Sequence, residues 1–198
     1  MSMSTGNLAN VPAEKAAEIG QHVPLGDEAK ALLQDGLAPA AYLGLLIEKG
    51  HFPDAVRFLA HALPKREAVW WGSQCARSVP DPPPSPASAD ALRAAEEWVA
   101  EPCEDTRRAA QRAYEPATLQ TPAGLAALAA FVSEGSLSLP GLPAVEPPPL
   151  ATAQMVSGAV LVAGVLTQPE KAPEKYRRFL ALGTEIANGG KRWKERTR

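Results

Sequence analysis

Apolar positions recur along this chain with helical spacing, most clearly over residues 52–63. Phe52, Ala55, Val56, Leu59, Ala60 and Leu63 stand at i, i+3, i+4, i+7, i+8 and i+11. That spacing puts them on one helical face, with Asp54, Arg57 and His61 elsewhere on the surface. Pro53 suits the first turn, where its missing N–H removes no bond. Gly50 ends a preceding helix over residues 39–49, and Pro64 opens the next. Residues 39–79 therefore read as three consecutive helices. Their very short connections favour antiparallel or steeply crossed neighbours.

In the third of these helices, Ala68, Trp71, Gly72, Cys75 and Val79 form the inward stripe. Trp70 lies about 100° round from Trp71, and its neighbours at i−4, i+4 and i+7 are Arg66, Gln74 and Arg77. Trp71 is thus expected in the core. Trp70 is expected at a boundary, either under a loop of the same chain or as an anchor for a partner. Arg66 and Arg77 stand beside it for the second role, since Trp and Arg are enriched at interface hot spots.

The same reading extends along the chain. Two short helices are expected over residues 12–20 and 27–34, after a polar, mobile stretch at 1–11. After the triplet, VPDPPPSPAS (79–88) reads as a semi-rigid polyproline connector between two helical subdomains, 12–79 and 89–190. Ser88 or Asp90 is expected to cap a helix to Ala100, with Leu92, Ala95 and Val99 inward. Glu104 and Asp105 suit a first turn. Thr121-Pro122 is a helix start, with Leu125, Leu128, Ala129 and Val132 inward. A second proline-rich segment, SLSLPGLPAVEPPP (136–149), is apolar enough to predict burial of Leu137, Leu139, Leu142 and Val145 along the helices. Thr152 is expected to cap a helix that is apolar almost all round, hence central. Pro173 opens the last helix, or marks a kink in it, and Asn188-Gly189-Gly190 stops it.

Composition sharpens this picture. No alternating strand-like run appears. Prolines number 20 in 198 residues, about twice the usual ~5%, so Ala-rich helices are short and firmly stopped. The fold class is all-α: about nine or ten short helices in an antiparallel or orthogonal array, with two proline-rich connecting segments. The net charge of −2 points to neither nucleic acid nor an anionic membrane. It hides an asymmetry, because the tail KRWKERTR carries five basic residues against one acidic. Lys191, Arg192 and Trp193 are therefore further candidates for partner contact, against a frayed, solvated end. Cys75 and Cys103 do not make a secreted disulfide framework. No signal peptide is expected, and the apolar run at 155–166 falls short of the ~20 residues a bilayer span needs. A cytoplasmic setting is expected.

No motif carries chemistry. HExxH, CxxC, GxSxG, Walker and GxGxxG patterns are absent. His61 and Cys75 lie in neighbouring helices, but nothing in the sequence orients the imidazole, and Cys75 falls on an inward stripe. The acidic pairs Glu96-Glu97 and Glu104-Asp105 point about 100° apart and form no ready dyad. Catalytic, cofactor-binding and metal-binding residues are expected to be none.

Four segments, LAHALPKREAVWWGSQCAR (59–77), AEEWVAEPCEDTRRAAQRA (95–113), FVSEGSLSLPGLPAVEPPP (131–149) and PEKYRRFLALG (173–183), resemble an uncharacterised bacterial family of small all-helical proteins. Its members are often encoded beside PAAR-like spike-tip proteins and adaptors of type VI secretion clusters. The resemblance covers roughly residues 30–190 and transfers no binding or catalytic residue. It implies a non-enzymatic adaptor or chaperone that loads a secreted effector or spike component. An enzyme with a cryptic site would instead show a deep polar cleft holding a His with a carboxylate. A nucleic-acid-binding protein would show a basic face beyond the tail.

Overall fold

The computed structural model describes residues 8–79, 85–139, 141–190 and Trp193. Among them are ten α-helices and one 3-10 turn, and no strand. The N-terminal part comprises α1 (Ala16–Gly20), α2 (Asp27–Ala31), α3 (Pro39–Glu48), α4 (Phe52–Ala62) and α5 (Lys65–Arg77). The remainder comprises α6 (Pro86–Ala100), α7 (Glu104–Ala117), α8 (Pro122–Phe131), α9 (Ala151–Val165), the 3-10 turn Pro169–Lys171 and α10 (Ala172–Ala187). The all-α array expected from the periodicity is what forms.

Helix α9 occupies the middle, against α4, α5, α8 and α10. Its inner face is Val156, Ala159, Val160 and Ala163, all fully buried. Small residues let its neighbours come close. A Cβ on Gly164 of α9 would run into the Tyr176 ring of α10. The helix is not enclosed all round, however: Val165 is 47% exposed. Apolar composition overstated its burial: Ala163 and Gly164 of the last turn are buried, but Val165 faces outward just before the chain bends by 115° into the next helix. Among the described residues no single helix is long and apolar enough to cross a membrane.

Trp71 ties the centre together. Its ring is 0% exposed, and its Nε1–H donates to the Phe179 carbonyl of α10 at 2.8 Å. Buried indole N–H groups need such a partner. Opposite it, a Cβ on Gly183 would meet the Trp71 ring at 2.8 Å and Leu59 at 2.6 Å, so α10 approaches α5 and α4 only because position 183 has no side chain. On α3, Tyr42 packs edge-on against Phe58 at 4.9 Å. Its hydroxyl donates to Ala29 O at 2.8 Å. Burial pushes that phenol up to about 12.

Several boundaries differ from expectation for local reasons. Helix α1 starts at Ala16 and α2 ends at Ala31, so both are shorter than the stretches read as helical. Helix α6 starts at Pro86 with Ser85 at the N-cap position, ahead of Ser88 and Asp90, because proline is well suited to a first turn. The connector expected over 79–88 thereby yields its last residues to the helix, and its residues 80–84 lie outside the described ones. Thr152 does not cap α9. Leu150 holds that position, and the Thr152 hydroxyl instead donates to Val132 O at 3.3 Å. Thr121 does cap α8, accepting from Gly124 N at 3.0 Å. At the N-terminus, Leu8 is buried and Asn10 N donates to Ala187 O at 2.8 Å, so residues 8–11 pack on the end of α10.

The two tryptophans on α5 should respond differently to truncation. Trp71→Ala is expected to cost about 3–5 kcal/mol of unfolding free energy, and Trp70→Ala much less. Urea unfolding followed by circular dichroism reads both, and equal losses would contradict the assignment of faces.

Candidate interaction site

The end of α8, the start of α7 and residues 132–138 meet around two arginines. Arg107 is 0% exposed. Its Nε and Nη2 donate to the two carboxylate oxygens of Glu104 at 2.7 and 2.8 Å. Nη1 donates to Phe131 O at 2.8 Å and Nη2 also to Ser136 O at 3.0 Å. The guanidinium lies over the Phe131 ring, 4.9 Å from its centroid. A bidentate pair of this kind combines charge with fixed geometry. Gly135 lies at φ +68°, and a Cβ there would approach Arg107 Nε to 2.9 Å. Both the turn and the close approach require glycine.

Arg108 extends the grip. It donates to Glu104 at 2.7 Å, to Gln111 at 2.8 Å, and through Nη2 to Ser136 O and Ser138 O at 2.9 and 2.7 Å. Ser136 Oγ accepts from Ser138 N and Val145 N, and Leu137 N donates to Val145 O at 2.8 Å. The loop is therefore closed at its base and bound to α7 through its backbone. Its side chains contradict the expected burial. Leu139, Leu142 and Val145 are 63%, 62% and 53% exposed; Leu137 alone packs, against the small cluster of Phe131, Val132 and Ala151. The anchoring is polar and runs through carbonyls, so the apolar side chains are left outside.

The residues singled out for partner contact have separate fates. Trp70 is half-buried, and Trp193 sets its ring edge-on against it, with centroids 6.0 Å apart at 67°. Arg66 lies 5.1 Å from the Trp193 ring centroid. It also donates to Val99 O and Ala100 O at the end of α6, at 2.7 and 3.3 Å. Trp70 is thus covered by a residue of its own chain. Trp193 is the one described residue beyond Gly190, and its ring rests on that aromatic shelf. Arg77 turns to α6, where Nε and Nη2 meet the two oxygens of Glu96, both at 2.8 Å; Lys191 and Arg192 lie outside the described residues. Two arginines that carry the site, Arg107 and Arg108, were not singled out from the sequence. Glu104 at i−3 and i−4 from them was the available signal.

The remaining reactive groups are dispersed. Burial drives the Cys75 thiol well above its ordinary range. Burial lowers His61, against the opposing pull of the Arg57 carbonyl that faces its Nδ1 at 2.8 Å. That carbonyl calls for a proton on Nδ1. Cys103 sits at the N-cap of α7, where hydrogen bonding with Thr106 lowers its thiol. Lys175 is buried at the end of α9 and donates to the carbonyls of Gly164 and Thr167, which suits a cation at a helix C-terminus. Among the described residues are two clefts of about 200 Å³. One is lined by Lys65, Arg66, Trp98 and Pro102 with Ser133 and Glu134, and the other by residues around Leu8 and Pro39. Among the described residues, no three His, Cys, Asp or Glu side chains are grouped to hold a metal ion.

The molecule is thus an all-helical protein with a centre built from small residues and an arginine-anchored loop. Residues 42–187, well over half of the chain, match the model of a family of unknown function, DUF6931, and the protein belongs to that family. No curated protein and no solved structure matches it.

The clamp should have a pH signature. Hydrogen bonds from Arg107, opposed by partial desolvation and joined by Arg108, hold the Glu104 carboxyl down at about 2, from 4.5. A depressed carboxyl contributes stability that is present above its unfolded value and lost as pH falls towards the folded one. The urea midpoint should therefore fall as pH drops from about 5 to about 2, and Glu104→Gln should flatten part of that slope. An identical slope in the variant would contradict the clamp.

Proposed function

We propose that this protein is a non-enzymatic helical interaction module, an accessory adaptor or chaperone, and that residues 136–149 engage its partner. The observation that carries this reading is the pairing of a fixed backbone with exposed apolar side chains. A single exposed leucine is ordinary. Here Leu139, Leu142 and Val145 lie within seven residues and are all more than half exposed, on a loop whose base is bonded to Arg107 and Arg108. A backbone already ordered loses less freedom on association, so more of the apolar burial reaches affinity. No charge interrupts the sequence from Gly135 to Val145, while Glu134 and Glu146 flank it. That chemistry suits an apolar groove on another protein, with a polar rim.

The secretion setting rests on the family resemblance. It makes a PAAR-like spike-tip protein, an effector or another adaptor of a type VI cluster the partner to test first. The expected activity is loading or stabilising that component before export, in the cytoplasm. Co-expression with each of the proteins encoded beside it, followed by co-purification, identifies the partner. Leu139→Ser/Leu142→Ser/Val145→Ser should then abolish co-purification while leaving the unfolding midpoint within the range of ordinary surface substitutions, about 0.5 kcal/mol. Undiminished co-purification of the triple variant would contradict the role of the loop.

A further inference from the structure

A second contact surface lies on other residues, and the chain itself fills it. Trp70 and Arg66 stand one turn apart on α5, and together they hold the Trp193 ring. Arg66 is fixed without Trp193, by its bonds to Val99 O and Ala100 O at the end of α6. Trp70 is fixed by packing against the main core. The two walls are therefore held by the body of the protein. The occupant arrives on a short connection: α10 ends at Ala187, and Asn188, Gly189 and Gly190 follow.

The fit is incomplete. The Nε1–H groups of Trp70 and Trp193 are both buried without an acceptor. A buried donor without an acceptor weakens the closed arrangement relative to one that satisfies it. The occupant's chemistry is stated by the sequence, in which Trp193 is flanked by Lys191, Arg192 and Lys194.

We infer that Trp70 and Arg66 form a docking seat for a tryptophan-bearing basic segment of a partner protein, and that Trp193 closes this seat in cis until such a segment displaces it. The seat supplies an aromatic edge and a guanidinium face. A segment that brings a carbonyl to either indole N–H would bind better than the tail does. This goes beyond the role given to residues 136–149 and does not depend on that loop.

The test uses the full chain carrying Trp193→Ala, which opens the seat, and a fluorescein-labelled peptide of residues 188–198 as the probe. Fluorescence anisotropy should show the variant binding the peptide roughly ten-fold or more tightly than wild type does, because the wild-type tail competes at high effective concentration. Binding should vanish in the Trp70→Ala/Trp193→Ala chain, and with a peptide whose tryptophan is replaced by alanine. Thermal unfolding of Trp193→Ala should stay cooperative and close to wild type. Three results would each overturn the proposal. One is equal binding by wild type and Trp193→Ala, and another is equal binding of the peptide lacking tryptophan, which would reduce the contact to charge alone. The third is loss of cooperative folding in Trp193→Ala, which would make Trp193 part of the core.

Discussion

A guanidinium with no access to water must find its hydrogen-bond acceptors inside the protein, and this constraint shapes one end of the molecule. Arg107 meets it with the Glu104 carboxylate and the carbonyls of Phe131 and Ser136. Breaking such a group leaves an uncompensated charge, which is far worse than never having placed it. The consequences spread outward from that one side chain. The carbonyl at the end of α8 must face α7, position 135 must lack a Cβ, and the chain must turn so that Ser136 reaches both arginines. The loop that follows is held through its backbone, while Leu139, Leu142 and Val145 stay exposed.

The rest of the fold is held by a different device. Alanine and glycine on α5, α8, α9 and α10 bring helix axes close, and a few large residues fill the remaining space. Trp71 is the largest of these fully buried side chains, and Gly183 makes room for it. A core of small residues leaves little slack, so the polar bonds that cross it, such as Trp71 to Phe179 O, also fix the relative position of the helices.

Much of this was readable from periodicity. The face of α4, the inward stripe of α5 and the opposite fates of Trp70 and Trp71 all follow from spacing alone. What failed to read did so because side chains acted on the backbone. Leu139, Leu142 and Val145 look like core residues in composition, and nothing local reveals that two arginines some thirty positions earlier bind the backbone around them instead. Thr152 looks like a cap, but it is used across helices. Lys175 looks like a surface cation, yet it closes the end of α9. Trp193 stands in a charged run, yet its ring meets that of Trp70. The arginines themselves stood in a run of polar residues where the spacing to Glu104 announced an ion pair but not the burial of Arg107.

Two surfaces thus differ in state, one apolar and open on a bound loop, the other aromatic and filled by the chain's own Trp193. The open surface depends on the loop being held as the hydrogen bonds describe. Amide hydrogen exchange resolved by NMR tests this directly at Leu137, Ser138 and Val145, whose N–H groups are bonded within the loop. All three should be protected in the native protein, and Arg108→Met should strip that protection while α9 stays protected. Exchange at the rate of an unstructured peptide in the unaltered protein would contradict this anchoring.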